Sequence, residues 1–303
     1  MFKRSYILAL ALSLSYVACG ADLHVPPQVI GAETAAVVNL NIDKIKFEQL
    51  IKTITDISGK APEAAQTDQL KDFVGKFKEA GGSTISIVVT VPKDTAAANP
   101  ADGILVVIQK AEGAETKKLV DFLNTAIPPL KENVGADCPQ EFDGKLVWYS
   151  KTAKLPTANA ERALTFSNAQ YEVSDETSIS MLFVPQANAT AAAQANLKGE
   201  EAELAKAILE GDGISLSSNF GVADAPSLKL LFTAADATAA EKVKTAVTSM
   251  IAAVKKDAPP DLQKLMDTLK LDQIGSNVQL SLTVLEWAKA AMAMAPGTPA
   301  AKP

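Results

Sequence analysis

The chain has 303 residues, of which 48% are hydrophobic, 21% charged and 5% aromatic, and its formal charge is −6. So much apolar material excludes a globally disordered polymer. An acidic balance without any Lys/Arg cluster interleaved with aromatics excludes nucleic acid as an expected partner. With two cysteines and one histidine, Cys/His zinc sites and the usual His-assisted Cys or Ser nucleophiles have too few members, so neither a metal nor another cofactor is expected.

In chain order, Lys3 and Arg4 precede an apolar run from Ile7 to Leu14, and small residues follow at Val17-Ala18-Cys19-Gly20-Ala21. This layout predicts a secretory signal peptide over residues 1–20 and an exported, periplasmic or extracellular product. The run falls short of the roughly 20 apolar residues that a spanning helix needs. Val17-Ala18-Cys19-Gly20 resembles the bacterial lipobox, with Tyr16 where that motif usually has Leu. The resemblance implies cleavage before Cys19 and a diacylglycerol on its thiol, which makes Cys19 the candidate lipidation site and membrane tether. Buried acyl chains hold at about 0.8 kcal/mol per methylene. Cleavage after Gly20 or Ala21 is the alternative, and it discards Cys19. Loss of Lys3 and Arg4 leaves the mature chain at −8. Cys138 is then the one thiol of the folded body, unable to form an internal disulfide and far in sequence from His24.

From residue 34 the pattern alternates between periods of two and 3.6. Val38, Leu40 and Ile42 read as a strand, with Asp43 expected to cap a helix whose face is Phe47, Leu50, Ile51 and Ile54. A second helix carries Leu70, Phe73, Val74 and Phe77 and stops at Gly81-Gly82. Strands follow at Ile85–Val91 and Ile104–Ile108, then a helix through Leu119, Phe122, Leu123 and Ala126 broken by Pro128-Pro129, and a closing strand at Lys145–Tyr149. Residues 156–172 read as a connecting helix with Ala160, Ala163, Leu164 and Phe166 on one face.

The second half replays this order. Strands are expected at 178–184, 214–220, 228–232 and 278–284. Helices are expected over 192–210, along Val243, Ala246, Val247, Met250, Ile251 and Val254, and in a short segment through Leu262, Leu265, Met266 and Leu269. Laying Val106–Ile127 over Leu230–Ile251 matches strand, acid (Glu112 and Asp236) and helix without a gap. The expected class is therefore α+β, with two tandem ferredoxin-like β-α-β-β-α-β repeats, 34–152 and 177–286, whose antiparallel sheets are covered by helices on one face. An Ala/Pro-rich, disordered tail is expected over 288–303.

Motifs of chemistry are sparse. Gly211-Asp212-Gly213 lacks the lysine and spacing of a phosphate loop and reads as a helix stop. Glu200, Glu201 and Glu203 crowd one helix as a solvated face, and Asn188-Ala189-Thr190 is a chance-level acceptor triplet. Trp148-Tyr149 and Trp287 read as packing residues, with sugar stacking as the alternative. What remains is an uncharged polar back to two strands: Asn39 and Asn41 in the first, Asn277, Gln279, Ser281 and Thr283 in the last. No catalytic, cofactor-binding or metal-ligating residue is assigned. The expectation is a non-enzymatic binding or interaction module of a bacterial cell envelope, using those faces or the cleft between halves to hold a protein or other envelope component. Its alternatives are a carrier for a small apolar ligand, which needs an enclosed cavity, and a glycan-acting enzyme, which needs two converging carboxylates.

Overall fold

Residues 25–91, 103–127, 134–135, 137–168, 177–185, 205–206, 208, 210–211, 213–223 and 225–294 are described by the computed structural model. Their strands are β1 (Thr34–Asn41), β2 (Gly82–Thr90), β3 (Ile104–Lys110), β4 (Gln140–Phe142), β5 (Lys145–Tyr149), β6 (Ile179–Phe183), β7 (Gly213–Ser218), β8 (Ser227–Thr233), β9 (Lys270–Ile274) and β10 (Asn277–Thr283). The helices are α1 (Phe47–Ser58), α2 (Ala64–Glu79), α3 (Thr116–Ala126), α4 (Ala160–Asn168), α5 (Ala237–Lys256), α6 (Pro260–Met266) and α7 (Val284–Met294), with a short 3-10 turn at Pro27–Val29.

All ten strands belong to one fully antiparallel sheet in the order β4-β5-β3-β2-β1-β6-β7-β8-β10-β9. Counted outward from the centre, both halves read first, second, third, fifth, fourth strand. The halves meet where β1 and β6 pair, Val37 opposite Leu182 and Asn39 opposite Ser180. A hydrogen-bonded ladder thus joins the two halves directly.

The β1-to-β2 connection explains why these strands pair directly. One helix between two strands returns the chain parallel to its start, whereas two helices, α1 and α2, reverse it once more, so β2 lies antiparallel beside β1. The split β-α-β of the expected ferredoxin-like unit is therefore absent at that place. It occurs further on: β3 and β4 run parallel with β5 between them, and β8 and β9 run parallel with β10 between them. The strands that complete both units, β4 and β9, leave no pattern in the sequence.

One face of the sheet carries the helices of both halves. Leu40, Ile85, Val106, Ile108, Leu146 and Trp148 pack beneath α2 and α3 through Phe77, Leu119 and Leu123. Phe73 and Phe122 pack around the Phe77 ring. At Gly82 a Cβ would collide with that ring, so the residue opening β2 has to be glycine. In the second half Phe232, Val278 and Leu230 lie under Ala240, Val243 and Val247 of α5. Leu262, Met266 and Trp287 join α6 to α7, and α7 packs on α1, tying the halves together.

The other face differs between halves. In the first, Val37, Val88, Leu105, Val107 and Val147 are covered by Val29 and Ile30 and by Phe166 of α4. Coverage by helices on one face only, as expected from sequence, is corrected there: the connecting helix lies on the second face. Leu164, expected inward, is 60% exposed, because α4 presents Ala163 and Phe166 instead. Lys46 rather than Asp43 occupies the N-cap of α1, with no side-chain capping bond. Asp236 does cap α5, accepting from Ala239 N at 2.7 Å. Helix α7 continues to Met294, into the segment expected to be a disordered tail.

Candidate functional site

Antiparallel pairing places directly opposed residues on one face of a sheet, so a rung can be followed across all ten strands. The rung through the centre reads Gln140, Val147, Val107, Ser86, Asn39, Ser180, Ser217, Lys229, Ser281, Lys270. Towards one end it is apolar and buried beneath α4; towards the other it is polar. At its middle Asn39 is buried, accepts from Ser86 Oγ at 2.6 Å and donates to Ser180 Oγ at 3.5 Å. This bridge joins β2, β1 and β6 and satisfies the amide inside the sheet.

The adjoining rung repeats the contrast. Tyr149, Leu105, Val88, Val37 and Leu182 are followed by Ser215, Leu231, Gln279 and Asp272. In the second half Ser215, Ser217, Gln279 and Ser281 are half-buried, while Lys229 and Thr283 are exposed. Gln279 Nε2 donates to Ser281 Oγ at 3.0 Å. Among the described residues no helix covers this polar face. It contains the polar positions singled out in the last strand, although Asn277 is buried with its Oδ1 unpartnered among the described residues. Asn39 and Asn41 lie on the same side, but Asn39 is locked in the sheet's interior. Lys229, which the sequence pattern did not single out, puts one positive charge among the serines.

Where the covered face ends, Arg162 of α4 reaches the start of β1 and the end of β6. Its Nε and Nη2 donate to Thr34 O at 3.0 and 2.7 Å, Nη2 also to Val184 O at 2.6 Å, and Nη1 to Pro185 O at 2.8 Å. The guanidinium stands 5.3 Å from the Phe166 ring centroid. Burial holds its pKa below the ordinary value. Its planar fork thus ties three backbone carbonyls together and acts as a clamp on the sheet's middle.

A second charged group closes the outer edge of the first half. Lys110 Nζ donates to Glu141 Oε1 at 2.6 Å and to Thr116 Oγ1 at 2.6 Å, and Thr116 Oγ1 donates to Glu141 Oε2 at 2.9 Å. The hydrogen bonds from Lys110 and Thr116 hold the Glu141 carboxyl below its ordinary value. Beside it lies an open depression of about 250 Å³ bordered by Gln109, Glu112, Asp143 and Lys145. Its lining is polar, unlike an enclosed apolar carrier cavity.

Cys138 is half-buried, its Sγ 3.6 Å from Tyr149 O. Trp148 packs in the core under α3, and Trp287 against α6. Tyr149 packs on the opposite face, and its hydroxyl accepts from Gln140 Nε2 at 2.9 Å. Burial, then the neighbouring Cys138, raises the Tyr149 pKa. Among the described residues no group of three or more His, Cys, Asp or Glu is placed to hold a metal ion, and no helix is long and apolar enough to cross a membrane. Cys19, His24, Asn188 and Glu200, Glu201 and Glu203 lie outside the described residues. Comparison of the chain with family models, with curated proteins and with solved structures finds no match.

Proposed function

We propose that this chain is an exported, non-enzymatic interaction protein of the bacterial cell envelope, which engages a protein or other envelope component through the polar face of β7, β8 and β10. The observation that carries this reading is the asymmetry of one sheet face. Val107 and Val147 lie under α4, whereas Lys229 and Ser281, at the matching third and fifth strands of the other half, lie under no described element. A face of Ser, Gln and Thr with one Lys around a single apolar residue, Leu231, offers many hydrogen-bonding groups at small desolvation cost, and the paired strands beneath it hold them rigidly. The shared outward strand order and the matching β3–α3 and β8–α5 units support an origin by internal duplication, with the second copy's face left for binding.

A photoreactive residue at Gln279 tests the site in cells. A discrete crosslinked adduct is expected there and not from Lys242 on the exposed side of α5; the same products from both positions, or none from Gln279, would refute it. Export is checked by mass spectrometry of the mature chain. A diacylated Cys19, or a start at Ala21 or Asp22, agrees with it, and an intact Met1 does not.

A further inference from the structure

The sheet ends in two edges of unequal design. β4 is only three residues long, and its middle residue Glu141 is tied to Lys110 and Thr116. β9 has five residues, alternates exposed and half-buried positions, and ends at Ile274, which is 75% exposed. Its backbone polarity follows from the neighbouring strand. Ser276 O accepts from Ala234 N, and Val284 N donates to Pro226 O, so even-numbered positions along β10 direct their backbone groups to β8. Odd-numbered ones face β9, where Asn277, Gln279 and Ser281 oppose Ile274, Asp272 and Lys270. By alternation, the backbone groups of Leu271 and Gln273 point away from the sheet, at an edge that no described strand pairs.

An antiparallel copy of the same strand can bond to that edge only in registers that pair odd positions with odd positions. Centring on residue 270 sets Lys270 against the Lys270 of the second copy, and centring on residue 272 sets Asp272 against its own equivalent. Both are like-charge pairs directly opposed, which destabilise a ladder. Centring on Leu271 brings the N–H and C=O of each Leu271 onto those of the other and sets Lys270 opposite Asp272 on both sides of the axis. We propose that β9 is a self-complementary dimer edge, joining two chains about a two-fold axis at Leu271 into one continuous twenty-stranded sheet. The partner is a second copy of this chain because the Lys270-Leu271-Asp272 triplet is the complement of itself, the isologous pattern a two-fold interface requires. Lys270 and Asp272 adjoin Ser281 and Gln279 of the proposed binding face, but the dimer is made by the backbone edge of β9, so its test by association of the purified chain stands or falls independently of that function. A single ladder buries little area, so association is weak and concentration-dependent.

Sedimentation equilibrium of the purified chain tests this with charge reversals. Wild type is expected to dimerise, while Lys270→Asp and Asp272→Lys, each alone, weaken the dimer about tenfold or more, since every charge pair across the axis becomes repulsive. An equimolar mixture of the two variants restores association as a heterodimer, because each then meets its opposite. A wild-type chain monomeric up to about 1 mM, single variants that dimerise like wild type, or a mixture that stays monomeric would each overturn the proposal.

Discussion

The two halves of this sheet share a strand order and differ in what one face is allowed to carry. Over Leu105–Ile108 of β3 in the first half both alternating sets of side chains are apolar, because helices lie on both faces: Val106 and Ile108 meet α3 while Leu105 and Val107 meet α4 and the Pro27–Val29 turn. In the second, Leu228, Leu230 and Phe232 face α5 and the core, but Lys229 and Leu231 between them look out from the other side. Sheet pairing tolerates either pattern, since backbone hydrogen bonds are blind to the side chain. What covers a face decides which residues it accepts.

The largest test of this contrast exchanges residues at matching positions. Val107 is fully buried and Lys229 exposed on the same rung. Val107→Lys is expected to lose about 3–5 kcal/mol in urea unfolding through an unpaired buried charge, and Lys229→Val to change stability by about 0.5 kcal/mol or less. Next in size is Arg162→Met, which leaves the carbonyls of Thr34, Val184 and Pro185 without their donor; about 2–3 kcal/mol is expected to go, measured the same way. Asn39→Ala strips Ser86 and Ser180 of their shared partner and costs about 1–3 kcal/mol. A double-mutant cycle with Ser86→Ala should recover part of that cost.

The smallest expected effect is on pH dependence. Glu141 titrates below its ordinary value of 4.5 in the folded chain. Its contribution is therefore present above that value and lost as pH falls through the lowered one. Glu141→Gln should lower stability slightly at neutral pH and leave it unchanged well below the lowered value, so that the acid limb flattens; the effect is small because the carboxylate is solvent-screened.

How much of this was legible in the chain depends on how local the signal is. The strands at Lys145–Tyr149 and Ile104–Ile108 and the Phe73, Val74 and Phe77 stripe can be read because burial on a covered face leaves strong periodicity. β9 could not: Lys-Leu-Asp-Gln-Ile has two apolar residues in five and follows Leu265 and Leu269, which continue a helical spacing. β4 is too short to leave a pattern. Missing those two strands also misplaced the split β-α-β units, since each is completed by one of them. Spacing alone turns Leu164 inward, whereas the orientation of α4 is set by Phe166 and the Arg162 clamp, which are tertiary facts. The polar positions of β10 were readable by alternation, but not that Asn39 on the same side would be sealed in by Ser86 and Ser180. Lys229 showed no sign of its place among serines because strand register is not written in any one strand.

Thiol reactivity decides whether one face is sealed in one half and open in the other. Ser86 and Ser217 hold matching second-strand positions on one rung, the former buried and the latter half-buried. In a background with Cys19 and Cys138 replaced, Ser217→Cys should react with an aromatic disulfide reagent at nearly the rate of a free thiol, while Ser86→Cys should react only as fast as the protein opens. Equal protection of both, or equal reactivity of both, would contradict the account.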